Sequence, residues 1–232
     1  MAIHGTVGFG YDDAEVVRPD PELLARLRGA SSADVTDAQG RTGVMDIGIK
    51  PIAEDMRLLG PAFTVDLPAG DNLMLYVALK LASPGDVLVV NTGGHLRNAI
   101  WGELMTHTAK ALGLAGLVVD GCIRDTAANR GLGFPIFAKG SLPVACEKHG
   151  PGFVNRPISC GGVVVRPGDV IVGDLDGVVV VQKENLPMVA ENLEKQAVKE
   201  AERLEEIRSG RQILPAWLDK VLAEKAFRQT KE

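Results

Sequence analysis

The amino-acid sequence predicts an α/β fold built around a mixed β-sheet. Two consecutive units each run from a helix into a buried strand: LMLYVALKLA precedes DVLVVN, and ELMTHTAKAL precedes GLVV. Repeated helix-then-strand units are typical of parallel strands joined by crossover helices. From Val163 onward, closely spaced β-branched runs are separated by Pro167-Gly168 and Asp176-Gly177, which predicts an antiparallel meander. Parallel and antiparallel strands together give the mixed sheet.

With 232 residues, the chain is accounted for by one compact domain and a terminal extension. We place the domain at residues 1–183, including an irregular N-terminal arm over residues 1–19. The extension at 184–232 contains a helix from about Glu184 to Ser209 and a last helix after Pro215, and it packs on the body or on a neighbouring subunit. Apolar residues at three-to-four spacing predict the buried stripe of the longer helix: Leu186, Val189, Leu193, Ala197, Ala201, Leu204 and Ile207.

The first elements predicted after the N-terminal arm are two short helices. Pro21 starts a short helix through Arg28, and Ser32 or Asp34 caps a second helix that ends at Gly40.

Strand signals follow Met45. Residues 58–67 predict a strand, in which Pro61 indicates an edge position or a bulge. Asp71 and Asn72 cap the helix 73–82, which ends before the strand 86–91, and residues 134–138 form another strand. The small-residue loop 92–94 either turns the chain or offers its amides to an anion.

Composition excludes several classes of function. Lys and Arg total 25 against 30 for Asp and Glu, a net charge of −5, so nucleic acid is not an expected partner. No signal-peptide pattern and no run of about eighteen apolar residues occurs, so we expect a cytoplasmic protein with no membrane partner. Three cysteines without a CxxC pair and four scattered histidines favour neither a disulfide framework nor a transition-metal site.

The segment from Trp101 to Arg130 carries the candidate site. It predicts a helix with Leu104, Ala111 and Leu112 available for one face, then a buried strand that ends at Asp120-Gly121. Arg124 and Asp125 follow the strand, where open α/β folds bind ligands, and Glu103 on the preceding helix can fold back to the same crevice. A guanidinium and two carboxylates suit an anionic, oxygen-rich substrate held with a hard divalent metal.

Each of these residues also has a structural interpretation. Asp125 either binds metal or caps the short helix TAANR, and Arg124 either binds substrate or pairs with Asp120. Glu103 is otherwise a solvated helix residue, and Cys122 is interpreted as core filler.

Asp174 and Asp176 are first of all the residues of a hairpin turn, and we place no metal there.

Longer motifs resemble a known family, the class II pyruvate aldolases that cleave 4-hydroxy-4-methyl-2-oxoglutarate and 4-carboxy-4-hydroxy-2-oxoadipate. That family shares its fold with the regulator of ribonuclease E activity, RraA. The resemblance covers roughly residues 30 to 210 and includes an acid followed, after twenty intervening residues, by Arg-Asp. The matching segments are SADVTDAQGRTGVM, PAGDNLMLYVAL, PGDVLVV, WGEL, GFPIFAKG, VNRPISCGGVVVRPGDVIVGDLDGVVVV and KEAERLEEIRSG.

The resemblance implies a layered ββα sandwich of the RraA-like, swivelling-domain type that assembles as a trimer or hexamer. It implies that Asp125 holds Mg²⁺ or Mn²⁺ and that Arg124 binds the pyruvoyl part of the substrate together with the WGELM segment. Within that segment the implied substrate contacts are Gly102, Glu103, Leu104 and Met105, the last two through their amides.

The same resemblance implies the chemistry. A 4-hydroxy-2-oxo acid is cleaved to pyruvate and a second oxo acid, with oxaloacetate decarboxylation as a side activity through the same enolate. Glu103 orients a water that takes the C4 hydroxyl proton, and Glu200 reaches the site from a neighbouring subunit. Glu200 could instead pair with Arg203 on its own helix.

The rival interpretation is a protein-binding regulator without chemistry. A methyltransferase ranks last, since no nucleotide-type glycine motif is present.

Overall fold

The computed structural model describes residues 8–11 and 16–225, so parts of the predicted arm and extension, at 1–7, 12–15 and 226–232, lie outside the described residues. The chain divides into two compact units between Leu193 and Glu194. The first unit contains β1 Phe9–Tyr11, α1 Pro21–Ala25, α2 Ser32–Ala38, β2 Lys50–Pro51, β3 Leu58–Asp66, α3 Leu73–Leu81, β4 Val87–Asn91, β5 Ala99–Trp101, α4 Glu103–Ala111, β6 Gly116–Ile123, α5 Thr126–Gly131, β7 Ile136–Ser141, β8 Gly152–Val154, β9 Ile158–Cys160, β10 Val163–Val165, β11 Val170–Asp174 and β12 Gly177–Val181. A 3₁₀ turn, Lys183–Asn185, leads into α6, Leu186–Arg208, which crosses into the second unit, and α7 spans Trp217–Glu224.

Ten of the described strands form one mixed sheet. Its path runs β1-β8-β3-β4-β6-β7-β2, and β3, β4, β6 and β7 are parallel neighbours. β5 lies beside the end of β6, while β11 pairs antiparallel with both β3 and β12. β9 and β10 form a separate antiparallel pair. The predicted α/β class and the mixed sheet are confirmed.

The central strands are buried on both faces. On β4, Leu88 and Val90 join one core cluster, whereas Val87 and Val89 join the cluster on the opposite face. This follows from the two-residue period of side chains on a strand. Burial on both faces explains the uninterrupted apolar runs that marked these strands in the sequence.

The prediction that Pro61 marks an edge strand or a bulge is wrong. β3 is the third strand along the path, not an edge, and it has antiparallel partners on β11 through residues 58–61 and parallel partners on β4 through residues 62–66. Pro61 lies where the partner changes, so its missing N–H interrupts no pairing with β4.

Two further strand predictions also need correction. β6 does not end at Asp120-Gly121 but continues to Ile123, and its pairing with β7 shifts register between Val119 and Cys122. β10 pairs with β9 rather than continuing the meander, although the β11–β12 hairpin at Asp176 is as predicted. Part of the arm is also regular, since β1 pairs in parallel with β8.

Helix α2 begins one residue earlier than predicted. Ser31 is the N-cap and forms a capping box with Asp34, while the Ser32 N–H and hydroxyl donate to Asp174 at 2.7 and 2.6 Å. Burial alone would raise the pKa of Asp174, but the bonds from Ser32 and Asp176 and the charge of Arg57 outweigh it and lower that pKa. Asp174 therefore joins the hairpin turn to α2.

The apolar stripe of α6 is buried only in its first turns. Leu186, Val189 and Leu193 belong to a core cluster of the first unit, whereas Leu204 is 49% and Ile207 41% exposed. In the second unit, Arg203 donates to Glu206 and to the carbonyls of Gln212 and Ile213, which ties α6 to the turn before α7.

None of the described helices combines the length and the apolar run needed to cross a lipid bilayer.

Candidate active site

Arg124 and Asp125 lie directly beyond β6. The Arg124 N–H donates to the Trp101 carbonyl at 2.9 Å, and Asp125 adopts the left-handed conformation, with φ 55° and ψ 40°, before α5 begins. A non-glycine residue in this region is strained, and such strain persists only where surrounding structure enforces it. Here it turns the Asp125 side chain away from α5.

The cap interpretation of Asp125 is wrong. Although Asp125 occupies the N-cap position of α5, its side chain makes no capping bond. Its Oδ2 instead accepts a hydrogen bond from the Glu103 N–H at 3.1 Å, at the start of α4. The carboxylate therefore lies at the positive end of α4, where the helix dipole attracts an anionic group.

Gly102 makes this approach possible. A Cβ at this position would lie 2.6 Å from Asp125 Oδ2 and 3.1 Å from Arg124 Nε, inside van der Waals contact. The backbone of Gly102 is extended, so space alone requires the glycine here.

A chain of buried hydrogen bonds holds the backbone turn at Arg124 and Asp125 in place. Trp101 Nε1 donates to Thr106 Oγ1 at 2.7 Å, and Thr106 Oγ1 donates to Asn129 Oδ1 at 2.7 Å. Asn129 Nδ2 in turn donates to the Arg124 carbonyl at 2.8 Å. Thr106 and Asn129 are fully buried, so this network holds β5, α4 and α5 together around the strained residue.

The predicted bridge between Arg124 and Asp120 is also wrong. Asp120 pairs with Lys139 at 2.5 Å, and this hydrogen bond raises the pKa of Lys139. Arg124 Nε lies 3.5 Å from Asp125 Oδ2, and the two side chains are 43% and 41% exposed. The guanidinium and the carboxylate are therefore both open to a ligand.

Glu103 contacts Asp125 through its main-chain N–H. Its side chain is 47% exposed, and Oε1 lies 3.9 Å from His107 Nε2 one turn along α4. The buried face of α4 consists of Met105, Thr106 and Ala109. Leu104 is 81% exposed, and Ala111 and Leu112 are exposed as well, so the apolar face that the sequence offered is not the one that packs on the core.

Two openings meet at the Arg124–Asp125 pair. One is a cleft of about 90 Å³, and the other is a more open depression of about 350 Å³ toward Ser141 and Pro143. We call the first the inner cleft. Its volume suits a small acid better than a nucleotide or another ligand of drug size. The inner cleft is lined by Asn72, Tyr76, Ala99, Ile100, Trp101, Gly102, Leu104, Met105, Arg124, Asp125, Ala145, Cys146 and Lys148.

The start of α4 offers the inner cleft a donor. The Met105 N–H bonds to the Gly102 carbonyl at 3.1 Å, but the Leu104 N–H is at the second helical position, where no intrahelical acceptor exists. A ligand carboxylate at this helix end would meet that N–H and the helix dipole.

The donor set around Asp125 constrains which metal fits. Among the described residues, no group of three or more His, Cys, Asp or Glu side chains is placed to share an ion. Asp125 alone offers a half-exposed carboxylate with one oxygen engaged by Glu103. One carboxylate fits a hard cation such as Mg²⁺, which keeps several of its waters.

Glu200, in the second unit, is exposed and accepts a hydrogen bond from Gln196 at 3.2 Å. Arg203 turns toward Glu206 rather than Glu200, so the predicted pair between Glu200 and Arg203 is wrong.

The interpretation of Cys122 as a core residue is confirmed, since it is buried and burial raises its pKa.

The inner cleft also contains residues that the sequence did not indicate. Asn72 was interpreted as a helix cap, and Tyr76, Cys146 and Lys148 gave no signal. The clue to Asn72 lies in its neighbour Asp71. Asp71 Oδ1 accepts a hydrogen bond from the Leu73 N–H at 2.8 Å, so the start of α3 does not need the Asn72 side chain as its cap.

Comparison with known proteins now defines the family. The family model described as RraA-like, Aldolase/RraA, matches residues 32–180. A protein of Halalkalibacterium halodurans, whose name provisionally makes it a 4-hydroxy-4-methyl-2-oxoglutarate aldolase, is 40% identical over 201 residues. That similarity covers 87% of this chain and 96% of the relative. The chain belongs to the RraA-like family.

Solved structures agree on the fold. An unusual member of the RNase ES inhibitor RraA family from Streptomyces coelicolor superposes with a TM-score of 0.69 at 31% identity, covering 84% of this chain and all of that one. A structure named S-adenosylmethionine:2-dimethylmenaquinone methyltransferase, from Geobacillus kaustophilus, gives a TM-score of 0.62 at 34% identity, covering 66% and 94%. The predicted RraA-type fold is confirmed.

Proposed function

We propose that this protein is a divalent-metal-dependent class II pyruvate aldolase. It cleaves a 4-hydroxy-2-oxo-dicarboxylic or tricarboxylic acid to pyruvate and a second oxo acid, and it decarboxylates oxaloacetate as a side activity. The observation that carries this proposal is the left-handed Asp125, which presents its carboxylate beside Arg124 at the mouth of a small cleft. The name of the Halalkalibacterium relative supports the same activity.

Asp125 would hold Mg²⁺ or Mn²⁺. When bound, the ion supplies Lewis-acid polarisation of the 2-oxo group of the substrate. Arg124 binds the pyruvoyl carboxylate and oxo oxygen with its two-pronged guanidinium, and the Leu104 N–H adds a hydrogen bond at the start of α4. Gly102 leaves room for these contacts, and Met105 forms part of the wall of the inner cleft.

Glu103 accepts the proton that leaves the C4 hydroxyl, by way of a water. This role requires its carboxylate to swing from His107 toward the inner cleft, which its 47% exposure allows. The electrons of the C3–C4 bond then form the pyruvate enolate, and water protonates C3. Loss of CO₂ from oxaloacetate reaches the same enolate without any hydroxyl proton to remove.

We further propose that the protein acts in the cytoplasm as a homotrimer or as a hexamer of two trimers. The second unit exposes several large apolar side chains, among them Ile213 at 67%, Leu214 at 66% and Trp217 at 61%. Apolar surface of this kind is typical of subunit contacts.

A regulator of ribonuclease activity is the second candidate, because a structural relative is named as a member of an RNase inhibitor family. Glu103 favours chemistry over protein binding alone, since a binding-only regulator has no evident use for a second acid beside the Arg124–Asp125 pair.

An assay of pyruvate release decides between the aldolase and the regulator. It uses oxaloacetate and the two candidate hydroxy-oxo acids as substrates, with and without Mg²⁺. We expect metal-dependent pyruvate from oxaloacetate and from at least one hydroxy-oxo acid. If no substrate yields pyruvate in the presence of Mg²⁺ or Mn²⁺, the aldolase proposal is wrong and the regulator remains.

We also propose that Glu200 reaches the active site of a neighbouring subunit. Asp125→Asn and Glu200→Gln proteins, unfolded and reassembled together, should recover more activity than either alone, because some interfaces then combine an intact metal site with an intact Glu200. A mixture of Arg124→Lys and Asp125→Asn is the control, since both changes fall in the same subunit's site and no intact combination arises. Mixed oligomers that regain no activity would show that Glu200 does not act across the interface.

A further inference from the structure

Asn72 is a buried side chain in the inner cleft with an unpaired acceptor. It is 7% exposed, and its Nδ2 donates to the Ile100 carbonyl at 2.8 Å and approaches Met105 Sδ at 3.9 Å. Within the described part of the chain, its Oδ1 has no hydrogen-bond partner. Buried side-chain oxygens are normally paired, so this atom calls for an explanation.

The orientation of the amide is fixed. If the group were flipped, Oδ1 would face the Ile100 carbonyl, and two acceptors would oppose each other at hydrogen-bond distance. The donor side of the amide therefore faces Ile100, and Oδ1 stays without a partner in a residue that lines the inner cleft together with Arg124 and Asp125.

The usual structural role of an asparagine here is already filled. Asn72 occupies the N-cap position of α3 but makes no capping bond, because Asp71 Oδ1 accepts from the Leu73 N–H instead. Asp71 Oδ2 also accepts from the His149 N–H at 2.5 Å, and the Asn72 N–H donates to the Glu147 carbonyl at 3.0 Å. The segment that carries Cys146 and Lys148 is thus tied to the start of α3 without the Asn72 side chain.

A bound 4-hydroxy-2-oxo acid would bring two kinds of new donor into the inner cleft: its C4 hydroxyl and an accompanying water. A bond from the hydroxyl would hold the proton in the ground state and oppose its departure. A bond from the water that receives the proton would strengthen as positive charge develops on that water, which favours the transition state. The second arrangement is the catalytically useful one.

We propose that Asn72 Oδ1 accepts a hydrogen bond from the water that removes the C4 hydroxyl proton, which makes Asn72 a positioning residue for that transfer. The inference rests on the aldolase function proposed above. In the step, the hydroxyl proton passes to the water, and the C3–C4 bond breaks with its electron pair remaining on the pyruvate enolate. C4 becomes a carbonyl carbon, and the water passes a proton to the Glu103 carboxylate.

The other candidate base in the inner cleft is not suited to this step. Burial above all, with a contribution from Asp71, raises the pKa of the Cys146 thiol to about 11, so the thiol keeps its proton near neutral pH.

The test compares two substrates that share one enolate, because oxaloacetate has no hydroxyl proton to lose. Asn72→Ala should lower kcat for aldol cleavage about 30-fold or more, since general-base catalysis contributes on the order of 10²–10⁴-fold. Decarboxylation by the same preparation should fall by less than about threefold. Asn72→Asp, which keeps an acceptor oxygen at this position but loses the bond to Ile100, should restore much of the aldol cleavage.

The solvent isotope effect on kcat supplies a second readout. It should rise for aldol cleavage in Asn72→Ala, because proton transfer to a poorly held water becomes more rate-limiting. Equal losses of both activities in Asn72→Ala, with an unchanged isotope effect and Asn72→Asp no better, would assign Asn72 a structural role and overturn the inference. A wild-type protein with no aldol cleavage would instead overturn the proposed function itself, so the two failures are distinguishable.

Discussion

Asp125→Asn is expected to abolish metal-dependent turnover, and exhaustive chelation of the wild-type protein should do the same until Mg²⁺ or Mn²⁺ is restored. Asp125 is proposed as the single direct protein ligand, and the described residues contain no group of three or more His, Cys, Asp or Glu side chains that could hold the ion elsewhere. Asparagine suits this test because, like aspartate, it tolerates the left-handed conformation at φ 55°. The substitution therefore removes the charge and leaves the backbone in place, which alanine would not guarantee.

The measurement is pyruvate release as a function of Mg²⁺ concentration, with Mn²⁺ binding followed separately by electron paramagnetic resonance. Asp55→Asn, at an exposed turn, is the matched control and should behave like the wild type. Thermal melting of both variants checks that folding is unchanged. Full activity after chelation, or normal Mn²⁺ binding in Asp125→Asn, would contradict a metal site at Asp125.

The sequence was sufficient for the elements whose burial is continuous. β4 and α3 match their predicted ranges to within a residue, because unbroken apolar runs and flanking turn residues define both. The prediction for Pro61 did not hold, since a proline signals a missing N–H but not which neighbour is present at that point of the strand. Pairing partners are a property of the whole sheet and are absent from the local pattern.

Leu104 shows a second limit. A helical period marks which residues share a face, but it does not say which face meets the core, and on α4 the buried face carries Met105, Thr106 and Ala109. The large apolar residue beside the candidate site is 81% exposed. Leu104 is therefore free to contact a ligand or another subunit, as the pattern alone could not show.

The sequence indicated where the candidate site lies but not how its side chains are oriented. Strand-end position and residue chemistry were enough to bring Arg124 and Asp125 to one crevice. The choice between cap and ligand for Asp125 depended on its left-handed backbone and on the space left by Gly102, which is 23 positions away in the chain and in contact only after folding. Asn72 went unrecognised for the same reason, because its donor bond to Ile100 spans 28 residues.

Arg124→Lys should lower kcat/KM by about 2 to 4 kcal/mol, or roughly 30- to 1,000-fold, although the positive charge is kept. The guanidinium presents two parallel donors to a carboxylate and an oxo oxygen, whereas an ammonium group acts as a single point charge. We expect most of the loss in kcat, because charge builds up on the oxo oxygen only as the enolate forms.

Stability separates this role from a structural one. The pair between Arg124 and Asp125 spans 3.5 Å, and both side chains are more than 40% exposed, so it contributes at most about 1 kcal/mol to folding. A lysine can keep that pair, so the melting temperature should stay near that of the wild type while activity falls. Arg28→Lys, at an exposed position, is the matched control and should change neither quantity. If Arg124→Lys instead kept near-normal kcat/KM, the guanidinium would serve only as the ionic partner of Asp125, and substrate binding would have to rest on the Leu104 N–H and the metal.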